Sequence, residues 1–286
     1  MKKTFLILLV ALAFATLFVG CKDPEVKSYT VTFDVDGNKT TVSAQTVKEG
    51  SRATKPTDPE KTGYYLAAWN KADGTKFDFN KDTITADITL TAAWKDAYSI
   101  GDEGPAGGWI FYDIDADNAN GNADKLNSYE AGWRYIEAAP DAWSNGTSTG
   151  DAQFVWGTDV LGDSISGGTE TAIGKGKSNT QNIMAQSATA FPAAKACYSY
   201  SVSKGSITYS GWFLPSRDEL KALYTNLVNS TSTTKKGTWK TSSNCGYWSS
   251  TTSDVNSAYV IKFDSGSEAQ IIRTDGNRYV RPVRYV

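Results

Sequence analysis

Asp113, Asp115 and Asp117 alternate along the chain and are followed by Asn118, Asn120 and Asp124, so hard oxygen ligands recur at the spacing of a calcium loop. The pattern is incomplete. Asn118 stands where an EF-hand loop wants glycine, Asp124 replaces the usual glutamate, and no helix pair flanks the run; the alternative is a solvated acidic loop. Calcium is the one cofactor these residues suggest, with Asp113, Asp115, Asp117 and Asp124 as its ligands. Gly174-Lys175-Gly176-Lys177-Ser178 has the residue types of a phosphate loop, but no glycine lies five residues before Gly174 or Gly176, so no nucleotide is expected.

The chain has no histidine and only three cysteines. That excludes Ser-His-Asp and Cys-His catalysis, imidazole-bearing zinc and a four-thiolate site. No motif marks a pair of catalytic carboxylates, so the chain is expected not to be an enzyme; glycoside hydrolysis by unmarked acids is the rival. A net charge of -2 gives no electrostatic reason to expect nucleic acid. Nine tryptophans and fifteen tyrosines could stack on sugars, yet Trp133, Trp212 and Trp248 are expected to be core. Arg281 and Arg284 are expected to be paired structural cations. The polar residues around the last turns, Asn256, Ser265, Ser267, Gln270, Arg273, Asp275 and Asn277, make the better recognition surface.

The N-terminus carries an address. Lys2 and Lys3 precede an apolar run from Phe5 to Val19 that ends at Gly20-Cys21, the pattern of an export signal over residues 1–20. The run is short for a spanning helix, which needs about 20 apolar residues. Leu17-Phe18-Val19-Gly20-Cys21 resembles a lipobox, with Phe18 in place of the usual leucine. The resemblance implies acylation of Cys21, a lipid bilayer as partner, a tether over residues 21–28, and a lipid-anchored place in the cell envelope, at the outer membrane or cell surface. Outside the cytoplasm, Cys197 and Cys245 are expected to form a disulfide, contributing about 4 kcal/mol in the chain-entropy model. Two buried free thiols are the alternative.

The elements that position these residues fall into two bodies. Val31, Phe33 and Val35 alternate with polar residues and stop at Asp36-Gly37-Asn38, a half-buried strand running into a turn. Gly63 to Trp69 gives another strand, and Ile88, Leu90, Ala92 and Trp94 a last one. Residues 29–95, with Tyr29-Thr30-Val31-Thr32-Phe33, Val47-Lys48-Glu49-Gly50, Pro56, Pro59, Gly63-Tyr64, Trp69, Phe77-Asp78-Phe79 and the stretch from Ile84 to Leu90, resemble one internalin-type B repeat, the Listeria/Bacteroides repeat. The resemblance implies a small β-grasp-like module of a surface protein.

After Lys95 the chain becomes rich in Gly, Ser, Thr, Asn, Tyr and Trp. Ser216 with Glu219 forms a capping box, and Leu220, Leu223, Tyr224, Leu227 and Val228 share a helix face. A weaker helix begins near Asn179-Thr180, is interrupted at Pro192 and resumes toward Cys197. The tail is expected to be a meander with turns at Ser265-Gly266 and Asp275-Gly276. Gly107 to Tyr112, Gly132 to Pro140, Ile173-Gly174 to Thr180, Ala193 to Cys197, Gly211 to Leu220, Tyr247 to Thr251 and Val280 to Arg284 resemble the Fibrobacter succinogenes major paralogous domain, a C-type-lectin-like family. The fold expected for the chain is therefore α+β, a small β-grasp-like module followed by a C-type-lectin-like α+β domain over residues 96–286. Its expected function is non-catalytic binding or adhesion to an extracellular protein or glycan through the C-terminal region, with a self-assembling surface-layer or fimbrial component as the alternative.

Overall fold

The computed structural model describes residues 26–37, 40–118, 133–141, 143–144, 150–158, 164–187, 189–229, 236–243 and 245–286. The export signal, Cys21 and Asp124 lie outside the described residues. Among the described residues no helix is long and apolar enough to cross a membrane. The chain divides into two compact units, with the boundary between Ala97 and Tyr98.

The N-terminal unit is a four-stranded sheet in the order β2-β1-β4-β3, built from β1 (Ser28–Asp34), β2 (Gln45–Lys48), β3 (Tyr64–Asn70) and β4 (Ile88–Asp96). β1 runs antiparallel to β2 and parallel to β4. The alternation expected of β1 is realised: Val31 and Phe33 are buried, and their neighbours Thr30, Thr32 and Asp34 are exposed. Their face meets Val47, Trp69, Phe77, Ile84, Leu90 and Ala92 in one core, with the Phe33 and Trp69 rings edge to face at 5.0 Å. The Asp34 carboxylate accepts from Asp36 N–H at 3.0 Å, closing the turn that ends the strand.

The C-terminal unit carries β5 (Trp109–Asp113), β6 (Tyr135–Ala138), β7 (Gln153–Phe154), β8 (Val202–Lys204), β9 (Ile207–Tyr209), β10 (Gly246–Thr252), β11 (Ser257–Lys262), β12 (Glu268–Ile272), β13 (Arg278–Tyr279) and β14 (Val283–Tyr285). Its helices are α1 (Ile114–Asn118), α2 (Gly176–Gln186), α3 (Pro192–Tyr198) and α4 (Arg217–Leu223), the last continuing as a π-helical turn over Tyr224–Val228. Among the described residues the strands form sheets β12-β11-β10-β13-β7, β14-β6-β5 and the hairpin β8-β9. The tail is therefore not a simple meander. β13 leaves the hairpin β11-β12 to pair parallel with β10, and β14 crosses to pair with β6.

The capping box at α4 is present: Glu219 N–H donates to Ser216 Oγ at 3.2 Å, and Ser216 N–H donates to Glu219 Oε2 at 2.7 Å. Leu220, Leu223, Leu227 and Val228 all lie inside, against Phe111, Phe213, Tyr247, Ile261 and Val283. A second core gathers Trp156, Trp212, Trp248, Ile183, Phe191 and Cys197. Buried polar residues tie the two together. Asn179 donates to Ser250 Oγ at 3.1 Å, Thr180 to Leu214 O at 3.2 Å, and Thr251 to Glu170 O at 2.8 Å.

The expected disulfide is absent, because Cys197 and Cys245 are free. Cys197 is sealed in the tryptophan-rich core on α3, whereas Cys245 precedes β10, its sulfur 3.0 Å from Ser242 Oγ. Burial, with the Asp151 charge nearby, pushes the Cys197 thiol well above its ordinary pKa. Iodoacetamide is expected to alkylate Cys245 in the native protein and Cys197 only after unfolding. Mass spectrometry of unreduced peptides checks this, and recovery of a linked 197–245 pair would contradict it.

Candidate functional site

Among the described residues of the C-terminal unit three acids are buried: Glu137, Asp151 and Glu219. Each is committed to neighbours. Glu137, on β6, accepts from Ala106 N–H at 3.0 Å and Gly108 N–H at 2.9 Å, with Arg284 3.5 Å away. Gly108 lies so close to β6 that a Cβ there would sit 1.9 Å from Ala138 O. Asp151 faces the fully buried Arg281 through both carboxylate oxygens and also accepts from Trp143 Nε1 at 2.8 Å and from the Tyr247 hydroxyl. Glu219 accepts from Gly174 N–H at 2.9 Å and Tyr285 Oη at 2.9 Å as well as from Ser216.

Burial pushes the Glu137 and Glu219 carboxyls above their ordinary range, and the donors around them pull only partly back. The glycine loop at Gly174-Lys175-Gly176 thus spends its two glycine amides on the chain's own Glu219 carboxylate, while the Lys175 N–H donates to Ala172 O. A Cβ at Gly176 would meet Glu219 Oε2 at 2.2 Å.

The Asp-rich run is partly taken up by an internal cation. Arg134 lies 3.0 Å from Asp113 and 3.1 Å from Asp115. Among the described residues no three acidic, cysteine or histidine side chains gather around a possible metal position. The Asp117 side chain lies outside the described residues.

The expected recognition residues occupy the β11-β12 hairpin and its ends. Asn256, Ser265, Ser267, Gln270 and Asn277 are exposed and Asp275 is half-buried. Ser265 and Ser267 hydroxyls bond each other at 2.8 Å at one end. At the other, Asp254 accepts from Asn256 N–H at 2.7 Å, and Asp275 pairs with Arg278 at 3.0 Å. The six-residue β11 separates these ends by about 17 Å at ~3.4 Å per residue, so the set cannot close on one small ligand.

Arg273 does not belong to the surface. It is 1% exposed, its guanidinium lies 4.9 Å from the Trp156 ring centre, and it donates to Asp254 O at 2.9 Å, holding the β10-β11 turn from within. Residues not expected on the face also contribute to it. Tyr259 lies directly opposite Gln270, and Arg217, the first residue of α4, stacks over the Tyr259 ring at 5.3 Å and reaches Glu268 at 3.6 Å. With exposed Val255 and Ile272 the hairpin presents a mixed apolar, aromatic and amide surface. The expected paired cations hold: Arg281 with Asp151, and Arg284 beside Glu137 and over the Tyr209 and Trp212 rings.

This geometry has relatives in two families. Residues 29–93 match the family model of the Listeria-Bacteroides repeat domain, and residues 169–284 match that of the Lcl C-terminal domain. The first runs from the second residue of β1 into β4, and the second from the strand-free segment before α2 into β14. Internalin H of Listeria monocytogenes serovar 1/2a is 44% identical over 72 residues, 24% of this chain and 13% of that protein. A protein of Evansella cellulosilytica, named only provisionally as a Gly-rich membrane protein, is 29% identical over 133 residues, 44% of this chain and 15% of its own length. The chain thus spans less than a fifth of the length of either relative.

Proposed function

We propose that the chain is a non-catalytic binding module of the cell envelope, held on a lipid bilayer through acylated Cys21 and recognising an extracellular protein or glycan with its C-terminal, lectin-like domain. The observation that carries this reading is the surface of half-buried Tyr259 with exposed Gln270 and Ile272, on a unit whose buried carboxylates among the described residues, Glu137, Asp151 and Glu219, are each bonded by structural donors. Names of relatives that refer to membranes or to an internalin support the address. The N-terminal sheet, with its central parallel pair β1-β4, fits a β-grasp-like spacer. No metal or nucleotide is needed for such recognition.

A glycan and matrix-protein array probed with the full chain tests it. At least one ligand is expected to be retained, and Tyr259→Ala is expected to weaken it about tenfold or more, as aromatic anchors of interfaces do. Retained ligands indifferent to both Tyr259→Ala and Gln270→Ala would remove the face from the proposal, and turnover of an arrayed glycan would replace binding by catalysis.

A further inference from the structure

The five-stranded sheet ends at β12, and among the described residues no strand pairs with its free side. The register fixes which backbone groups face outward. Lys262 N–H donates to Ser267 O at 2.9 Å and Arg273 N–H to Asn256 O at 2.9 Å, while Val260 and Ala258 stand opposite Ala269 and Ile271. In an antiparallel ladder bonded and non-bonded pairs alternate, so the odd-numbered residues of β12 bond to β11. Glu268, Gln270 and Ile272 turn their N–H and C=O groups away from the sheet. Among the described residues only the Ile272 carbonyl is engaged there by backbone, by Asp275 N–H at 3.0 Å.

The other sheet margins differ. β3 is flanked on its outer side by the bridges Lys61–Tyr64 and Asn70–Lys76, β5 by Glu103–Trp109 and β14 by Phe213–Val283, β2 carries Lys48, and β7, β8 and β9 are only two or three residues long. β12 has no proline, no lysine and no register shift, the usual guards of an exposed edge.

We propose that β12 is a docking edge onto which an extended segment of a partner protein adds as a further antiparallel strand. The proposal rests on the binding reading above and names the class of partner. Side chains beside the edge select the sequence. Ile272 is 48% exposed and calls for an apolar residue opposite, Gln270 for a hydroxyl or amide, and Glu268, held by Arg217 only at 3.6 Å, for a cation. The recognised pattern, N to C, is apolar-x-polar-x-basic. A second copy of the chain fits worse. Two-fold pairing about Gln270 would place Glu268 of each copy against Ile272 of the other, a charge on an apolar side chain at both ends.

The test measures fluorescence anisotropy of the labelled peptide Thr-Val-Thr-Thr-Thr-Lys-Thr with the full chain in detergent. Saturable binding is expected, weakened about tenfold or more by N-methylation of the central threonine, whose amide would face Gln270, and unaffected by N-methylation of the threonine just before it, whose amide faces away. Replacing the lysine by glutamate is also expected to weaken it. Gln270→Pro should abolish binding with an unchanged circular dichroism spectrum, because the lost N–H is not bonded to β11. Equal binding of the two methylated peptides, or no binding up to about 1 mM, overturns strand addition. A dimer in light scattering that Gln270→Pro dissociates overturns the choice of partner. An array ligand lost on Tyr259→Ala but kept by Gln270→Pro would leave the binding reading standing and sink this one.

Discussion

Replacing Asp151 by alanine is expected to destabilise the C-terminal unit by about 3–5 kcal/mol, the range for removing one member of a buried, hydrogen-bonded ion pair. The side chains of Asp151 and Arg281 are both fully buried. Arg281 keeps Ala139 O at 2.9 Å, Thr238 O at 2.8 Å, Asp141 at 3.3 Å and the Trp239 ring at 4.1 Å, but none of these supplies a buried counter-charge, since Asp141 is a third exposed. Trp143 and Tyr247 lose their acceptor in the same step. Urea unfolding followed by tryptophan fluorescence measures the loss. Asp151→Leu combined with Arg281→Met should recover much of it, because an apolar pair leaves no stranded charge. A single-variant loss below about 1 kcal/mol, or a double variant worse than either single, would refute the assignment of the stability to this pair.

That Arg281 is paired was expected from the sequence, but its partner Asp151 was invisible there for a physical reason. Asp151 belongs to no periodic segment, and it meets Arg281 only because β13 pairs parallel with β10 and brings the Val280-Arg281-Pro282 stretch past the loop before β7. What was legible is local. The box from Ser216 to Glu219 and the apolar face after it dictated α4, since a cap and a helical stripe act within two turns. The alternation in β1 and β4 likewise marked two strands of the N-terminal sheet, where strand faces are one-sided, whereas the four-residue β2, whose Val47 and Lys48 read as part of a turn, is too short to show a period. The Cys197–Cys245 bridge failed because the redox compartment states whether a disulfide can persist, not whether two sulfurs meet.

The recognition face was half legible, and the missing half had a signal. In Ala269-Gln270-Ile271-Ile272-Arg273 strict alternation sends residues 270 and 272 one way and 269, 271 and 273 the other. Arg273 therefore points inward with Ile271, and its charge disguised the period. Tyr259 is reached by the same rule across the hairpin, opposite Gln270. Arg217 could not be placed without the packing of α4 on the sheet.

The second large effect concerns Glu219 and depends on pH. Glu219→Ala would strand the N–H groups of Ser216 and Gly174 and the Tyr285 hydroxyl, at about 1–3 kcal/mol for each donor left buried without an acceptor. Glu219→Gln separates shape from charge. In the native unit burial raises the Glu219 pKa above its unfolded value of 4.5. A group raised in this way favours the folded state fully below the unfolded pKa, and the contribution is lost as pH rises through the folded one. Glutamine does not titrate, so the deficit of Glu219→Gln relative to wild type should be largest in acid and shrink toward neutral pH. Asp82 in the N-terminal unit has the opposite sign, since the Lys71 ammonium and Asp78 N–H hold its carboxyl below the ordinary range. Its contribution, small because the pair is open to solvent, is present at neutral pH and fades in acid. Unfolding of wild type and variant across the acid-to-neutral range measures the trend. A Glu219→Gln deficit that grows with pH would mean that the surrounding donors, not burial, govern this carboxylate.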